Sequence, residues 1–300
     1  MINLFIPSYH RPDNLKTVNL FLKLGWDPSK ITVFVDSEAD DIEEYRAVLN
    51  RYGCNLHVFD MDEARERFDY VHRPSASRRS AGQARNMFQD YAKEKGIDFY
   101  VVQDDDSSGF EMKAFGRNNG PAKANTVIRA FDMIEAFMRK RKIGVFGISQ
   151  SGDYIGGYKD YYYFRKVMNT TFFLLPYIYR GERGVQDDDT SQFVGIWNEG
   201  LFTGSCVNGV ILHQMPSAMQ PGGLTDLYRE NKLLNKSLVT VIQFPSAIYA
   251  TRQIRNGGRL HHFINNRYLG PKILKIKGGR DNIAWDTYPE DIPFTNEPKR

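Results

Sequence analysis

Over the first 110 residues, short apolar runs alternate with segments whose apolar positions recur every three or four residues. "NLFIPSY" predicts a strand ending at Pro7 and Ser8, and "NLKTVNLFLKLG" has helical spacing closed by Gly25. "KITVFVDS" is a β-branched run ending at Asp36, "DDIEEYRAVLNRYG" an amphipathic helix closed by Gly53, and "NLHVFDMD" a further strand. The helix "GQARNMFQDYAKEKG" then leads into the strand "FYVVQDDD". This order predicts an α/β fold: a mostly parallel sheet whose crossovers are helices packed on its faces.

Farther along, "AKANTVIRAFDMIEAFMRKRK" predicts a helix, "IGVFGIS" a strand, and "NTTFFLLPYIYR" a strand pair or a strand and loop. "DDDTSQFVGIWNEG" predicts a helix capped by its leading aspartates and ending near Gly200. No repeat, low-complexity tract or Pro/Gly-rich linker divides the chain. We therefore expect one α/β domain over residues 1–230, with halves 1–110 and 111–230, and a C-terminal extension over 231–300 packed on it.

Charge changes the picture of that extension. Residues 201–300 hold 13 Lys and Arg against 7 Asp and Glu, and no acid lies between Glu230 and Asp281. Ten basic residues fall in that gap, among them Arg252, Arg255, Arg259, Arg267 and Lys272. Such a tract attracts a polyanion, although solvated basic surfaces are common on proteins with no such partner. Cys54 and Cys206 are too few for a disulfide framework or a thiolate zinc site. No apolar run approaches the ~20 residues of a membrane span, and the first residues lack the basic region of a signal peptide. The expectation is a cytoplasmic protein with no membrane partner.

In open α/β sheets ligands bind beyond the carboxyl ends of the strands, where Pro7, Ser8, Tyr9, Asp36 and Asp104 to Asp106 all fall. Adjacent carboxylates repel one another, and a divalent cation held through their oxygens relieves this while leaving positions for phosphates. A solvated acidic turn is the alternative. Against it stand the apolar "FYVV" in front and the nearby "RRSAGQARN", whose Gly82, Arg85 and Asn86 open a helix that suits a diphosphate. Metal with arginine points to nucleotide diphosphate chemistry. Asp187 to Asp189 are either helix caps or a second acidic site. His213 is either a third metal ligand or a satisfied strand-end histidine, and His261 with His262 alternates across a strand, so one alone faces any site.

The strand ending in Pro-Ser-Tyr, the strand ending at Asp36, the "AGQARN" helix start and the D-x-D of Asp104 to Asp106 together resemble the nucleotide-sugar half of GT-A-fold glycosyltransferases. The resemblance covers about the first 110 residues. It implies that Pro7, Ser8, Tyr9 and Arg11 approach the nucleoside, and Asp36 the uracil or ribose. Arg85 and Asn86 would meet the donor sugar-phosphate, Asp104 and Asp105 would serve the donor, and Asp106 would hold Mn2+ or Mg2+. "DDDTSQFVGIWNEG" is similar to the acidic helix start that supplies the base in such enzymes, with Asp188 and Asp189 matching the pair. Asp replaces the usual Glu there, so which aspartate is the base stays open.

"IPSYHRP", "AGQARN", "QDDDSSGF" and "MQPGGLTDLY" together resemble the TET-associated glycosyltransferases of bacteriophages, a group held to glycosylate 5-hydroxymethylpyrimidines in DNA. That resemblance implies a UDP-sugar donor, a DNA acceptor contacted by the basic tract, and a host-cytoplasmic setting. Tyr249, Phe263 and Tyr268 interleave with the basic residues and suit stacking on an extruded base, or else core packing. A glycosyltransferase with a saccharide, lipid or protein acceptor, and a non-catalytic nucleotide-sugar or nucleic-acid binder, are the two rival expectations.

Overall fold

The computed structural model describes residues 1–67, 81–114, 117–148, 170–175, 188–198, 203–206, 209–213, 234–253 and 259–265. The βα alternation is present as β1 (Asn3–Pro7), α1 (Lys16–Lys23), β2 (Ile31–Asp36), α2 (Ile42–Tyr52), β3 (Asn55–Phe59), α3 (Met61–Arg67), α4 (Ala81–Glu94) and β4 (Phe99–Val102). There follow β5 (Gly109–Ala114), β6 (Arg117–Pro121), α5 (Ala124–Arg141), β7 (Val145–Ile148), β8 (Thr171–Leu174) and α6 (Asp188–Asn198). β9 (Thr203–Cys206), β10 (Gly209–His213), α7 (Leu234–Gln243), β11 (Ile248–Gln253) and β12 (Arg259–Ile264) complete the described strands and α-helices.

The main sheet has the order β3-β2-β1-β4-β8-β7-β9. All its described pairings are parallel except those that β8 makes with β4 and β7. The expected architecture, a mostly parallel sheet with flanking helices, is therefore what the chain adopts. β5 lies between β10 and β6 in a separate antiparallel sheet, and β11 pairs with β12 in a two-stranded ribbon.

Each central strand is buried on both faces, so its alternating residues serve two cores. Leu4, Ile6, Val33, Val35, Phe99 and Val101 share one cluster with Val18 and Phe21 of α1, Tyr45 and Leu49 of α2, and Phe131 and Ile134 of α5. Phe5, Phe34, Tyr100 and Phe173 share the opposite one with Ala84, Met87 and Phe88 of α4 and Ile196 of α6. Here the pleat lines up an aromatic ladder across four adjacent strands. The Phe34–Phe5 centroids are 5.1 Å apart, Phe5–Tyr100 stack at 4.7 Å, and Tyr100–Phe173 stack at 5.2 Å. A third cluster joins Phe193, Val194 and Trp197 of α6 to Ala247 and Ile248.

The helix ends follow the glycines read from the sequence. Gly53 closes α2 at φ 70°, a left-handed conformation that costs a residue with Cβ about 1 kcal/mol or more. Among the described residues no helix is long and apolar enough to cross a membrane.

Removing one rung of the ladder tests its weight. Phe5 is fully buried and touches Phe34, Phe88, Tyr91 and Tyr100. Phe5→Ala is expected to lower unfolding stability by about 3–5 kcal/mol, read as a shift in the urea midpoint at constant m-value.

Candidate functional site

Parallel pairing of β1 with β2 and β4 sets Pro7, Asp36 and Asp104 to Asp106 along one edge of the sheet. The Gln103 N–H donates to the Phe5 carbonyl at 3.1 Å and extends the β1–β4 pairing to the start of the aspartate run. Ser8 N donates to the Phe34 carbonyl at 3.0 Å and fixes the exit of β1 over β2.

Asp105 is 6% exposed, and both of its carboxylate oxygens are taken by the chain leaving β1. Ser8 Oγ donates to Oδ2 at 2.7 Å, and Arg11 Nη1 donates to Oδ1 at 2.5 Å. Since the one Ser8 proton is committed there, the 2.8 Å contact between Ser8 Oγ and the Tyr45 hydroxyl runs with Tyr45 as donor. The Tyr45 oxygen in turn accepts the Arg11 backbone N–H at 2.9 Å. Burial pushes the Tyr45 phenol well up from its usual range and keeps it protonated as this network requires. Burial also raises Asp105 to about 6; Arg11 and Ser8 work against that rise, while Asp106 and Asp104 add to it.

α1 clamps the other side of the run. Thr17 N donates to the Asp105 carbonyl at 3.1 Å, Thr17 Oγ1 donates to the Asp104 carbonyl, and Ser107 N donates to Thr17 Oγ1 at 2.9 Å. Gln103, fully buried, donates to Ser107 Oγ and accepts from Thr170 Oγ1. Three consecutive aspartates are thus held with their backbone fixed from three directions.

The flanking aspartates face different partners. Asp106 is 6% exposed, with its Oδ2 3.9 Å from Arg11 Nη1. Asp104 is more open, and its Oδ1 accepts from Arg85 Nη2 at 2.9 Å. Through Nη1 the same guanidinium pairs with Asp188, the first residue of α6. Arg85 therefore ties the end of β4 to the start of α6, and the two acidic motifs separated by more than 80 residues of sequence meet at one arginine. Asp189 lies beside them, with its Oδ1 accepting the Thr190 N–H at 2.9 Å.

The remaining expected residues fall as follows. Asn86 is buried one position past Arg85, and Gly82 lies in the first turn of α4. Asp36, 4% exposed, ends β2 and accepts the Glu38 N–H at 3.0 Å. Tyr9 sits against His10, with ring centroids 3.9 Å apart. His213 ends β10 opposite Gly109 of β5, which brings its backbone beside the segment that follows the aspartates. Arg252 is exposed on β11, and Arg259 opens β12. Asp187, Arg255, Arg267 and Lys272 lie outside the described residues. Tyr45, Thr17 and Gln103 escape a reading by pattern: Tyr45 and Thr17 occupy inward helical positions that any core residue fits, and Gln103 is polar at a strand end.

A divalent cation would find suitable donors here. Carboxylate oxygens are the hard ligands that Mg2+ and Mn2+ prefer, and such ions commonly use one or two carboxylates and complete their shell with phosphates and water. Asp105 is engaged by two side-chain donors and Asp104 by Arg85, while Asp106 lies with its Oδ2 3.9 Å from Arg11 Nη1. Among the described residues, the three-residue grouping with convergent ligand atoms lies elsewhere, at His10, Asp40 and Asp41, where His10 Nδ1 is 3.3 Å from each carboxylate.

A family model described as TET-Associated Glycosyltransferase matches residues 2–196, which span β1 to β4, the aspartate run and most of α6. The chain belongs to the TET-associated glycosyltransferase family. As a member of that family it is a glycosyltransferase. No curated protein sequence matches it. Crystal structures of glucosyl-3-phosphoglycerate synthase from Mycobacterium tuberculosis resemble it over 92% of this chain and 91–92% of that one. One, with Mn2+, UDP and phosphoglyceric acid, has 10% identity and a TM-score of 0.43; a second, with Mn2+, UDP-glucose and phosphoglyceric acid, has 10% and 0.42. A third has 9% and 0.44. Similarity this distant carries nothing about ligands from those proteins to this one.

The network around Asp105 makes a direct test possible. Tyr45→Phe deletes the donor to Ser8 and the acceptor of the Arg11 N–H while keeping the ring in its core. The expected loss is about 1–3 kcal/mol in denaturant unfolding, more than a buried Tyr→Phe change without partners would cause.

Proposed function

We propose that this glycosyltransferase moves a sugar from a UDP-sugar to the hydroxymethyl group of 5-hydroxymethylcytosine, or a related modified pyrimidine, in DNA. The observation that carries the donor side is the Asp104–Arg85–Asp188 bridge, which joins the aspartate run to a second acidic helix start. In this reading residues 1–110 bind the donor, residues 111–230 complete the catalytic domain, and the tract from 231 onward meets the acceptor. Pro7, Ser8, Tyr9 and Asp36 line the nucleoside, with Arg11 and Asp105 holding that loop in shape. Gly82, Arg85 and Asn86 receive the diphosphate at the opening of α4, where backbone N–H groups and a guanidinium favour anions.

Asp106 would hold Mn2+ or Mg2+, with His213 as a further ligand, and the bound ion supplies charge that offsets the negative charge building on the leaving UDP. Asp189 takes the proton of the attacking hydroxyl. Its neighbour Asp188 is engaged by Arg85, and that ion pair stabilises the carboxylate and weakens it as a base. Removing the proton as oxygen attacks the anomeric carbon matches a single displacement with inversion.

The acceptor side is supported by the ribbon. On β11 and β12 the register pairs Tyr249 with Phe263 and Thr251 with His261 on one face. Tyr249 is 50% exposed and stacks on Phe263 at 5.8 Å, while Arg252, three positions along the strand, is exposed on the other face of the ribbon. A ribbon that carries an exposed aromatic pair on one face and a basic residue on the other offers a nucleic acid both stacking and phosphate contacts.

Removing the metal ligand gives one test. UDP should raise the melting temperature of the wild type only with Mn2+ or Mg2+ present, and Asp106→Asn should erase that metal-dependent rise. An unchanged rise removes Asp106 from the site.

Transfer itself is read by mass spectrometry. Duplex DNA carrying 5-hydroxymethylcytosine is incubated with UDP-sugars, and the expected product is heavier by one sugar residue, with unmodified DNA giving none. Asp189→Asn should slow transfer by ~10²- to 10⁴-fold without weakening UDP binding. Transfer to a free saccharide in preference to the modified DNA would replace this acceptor.

A further inference from the structure

α6 is a helix with two different sides. Thr190, Phe193, Val194 and Trp197 turn toward the C-terminal elements: Phe193, Val194 and Trp197 cluster with Ala247 and Ile248, and Thr190 Oγ1 lies 3.4 Å from His262 Nε2. On the other side lies the stripe Asp188, Gln192 and Ile196, spaced four residues apart and so stacked along one face. Asp188 at the top of that stripe pairs with Arg85 of α4. Ile196 at its lower end belongs to the cluster of Ala84, Met87 and Phe88, also of α4. Gln192 sits between these two, one turn beneath the Arg85–Asp188 contact.

Gln192 is 5% exposed, and among the described residues neither its Nε2 nor its Oε1 has a hydrogen-bond partner. Its helix neighbour Ser191 shows the usual outcome, donating to Gln243 Oε1 at 2.8 Å. A buried amide left without partners costs about 1–3 kcal/mol per orphaned group and calls for an explanation beyond packing. Here both the donor and the acceptor are idle, at a level below the arginine that joins the two acidic motifs.

We propose that Gln192 selects the transferred sugar by hydrogen bonding to one of its hydroxyls. This rests on the donor reading given above. A hydroxyl both donates and accepts, so one sugar hydroxyl or a vicinal pair satisfies the two ends of the amide together. The other parts of the reacting pair fit less well. The uracil and ribose belong at the ends of β1 and β2, which stand on the far side of β4 from α6 across the sheet. The diphosphate is anionic and is matched by Arg85, whereas the Oε1 of an amide repels it. The acceptor base enters from solvent and is met first by the exposed ribbon. In the donor reading the sugar, attached to the phosphate that Arg85 would meet, is the group that extends toward the next turn of α6. Gln192 is thus a specificity-determining residue: a site built to bond a hydroxyl discriminates strongly against a donor that lacks it or carries it in the other configuration.

The test compares UDP with UDP-glucose, UDP-galactose and UDP-N-acetylglucosamine, each titrated calorimetrically in Mn2+ into the wild type, Gln192→Leu and Gln192→Met. The wild type should bind one UDP-sugar more tightly than its epimer. Both variants should keep the affinity for UDP within about twofold and lose about 10- to 100-fold in preference for the favoured sugar, the equivalent of one or two hydrogen bonds. Without ligand they should melt no lower than the wild type, because an apolar side chain replaces an amide that had no partners. A purely structural glutamine would move that melting temperature instead. Retained sugar preference in the variants, parallel losses for UDP and UDP-sugars, or a lower melting temperature without ligand each overturns the assignment while leaving the donor reading in place. A wild type that binds none of the UDP-sugars overturns both.

Discussion

A carboxylate buried where β1 and β4 end organises this protein. Asp105 is nearly inaccessible, and burial alone would favour its neutral form. Ser8 and Arg11 reach it from the loop after β1, and Tyr45 holds both of those residues from α2. One buried charge therefore binds together the exits of two parallel strands and the helix α2, which shares its layer with α1. If that charge were unpaired the desolvation cost would fall on the whole edge of the sheet, which is why the middle aspartate of the run is the structural one.

Asp104 and Asp106 flank Asp105, on a backbone held by Thr17 and beside the Gln103–Ser107–Thr170 contacts. In the proposed donor site preorganisation of this kind matters, since a carboxylate or guanidinium already in position loses little entropy on binding. Arg85 extends the same economy across the fold. By touching Asp104 and Asp188 it sets α6 against α4 and ties the aspartate run to the start of α6. Beneath this contact the packing becomes apolar, apart from Gln192.

Much of the framework was legible beforehand. β1, β2 and β4 are continuous apolar runs because both their faces are buried, and α1 and α2 stop at Gly25 and Gly53, whose positive φ values of 79° and 70° suit residues without Cβ. The β5–β6 hairpin went unread: its residues follow the aspartates and include Asn-Asn-Gly-Pro, so turn chemistry hides the alternation of Phe110 and Met112. α7 was likewise missed, since "LVTVI" has strand-forming residues that helical packing beside β11 and β12 overrides. "NTTFFLLPYIYR" did contain a strand, but nothing local to it tells that β8 inserts antiparallel between β4 and β7.

The sequence by itself determined which strand ends carry acids, which helix openings carry glycine and arginine, and where basic residues accumulate, because these follow from local order and composition. Only the tertiary structure decided the partners. Asp105 faces Arg11 and Ser8, Asp104 shares Arg85 with Asp188, Tyr45 serves a polar network from an apolar helix position, and Gln192 lies buried between α6 and α4. The reason is physical: the cost of burying a charge or an amide depends on what surrounds it, and those surroundings come from segments tens of residues apart that meet only when the sheet closes between its two layers of helices.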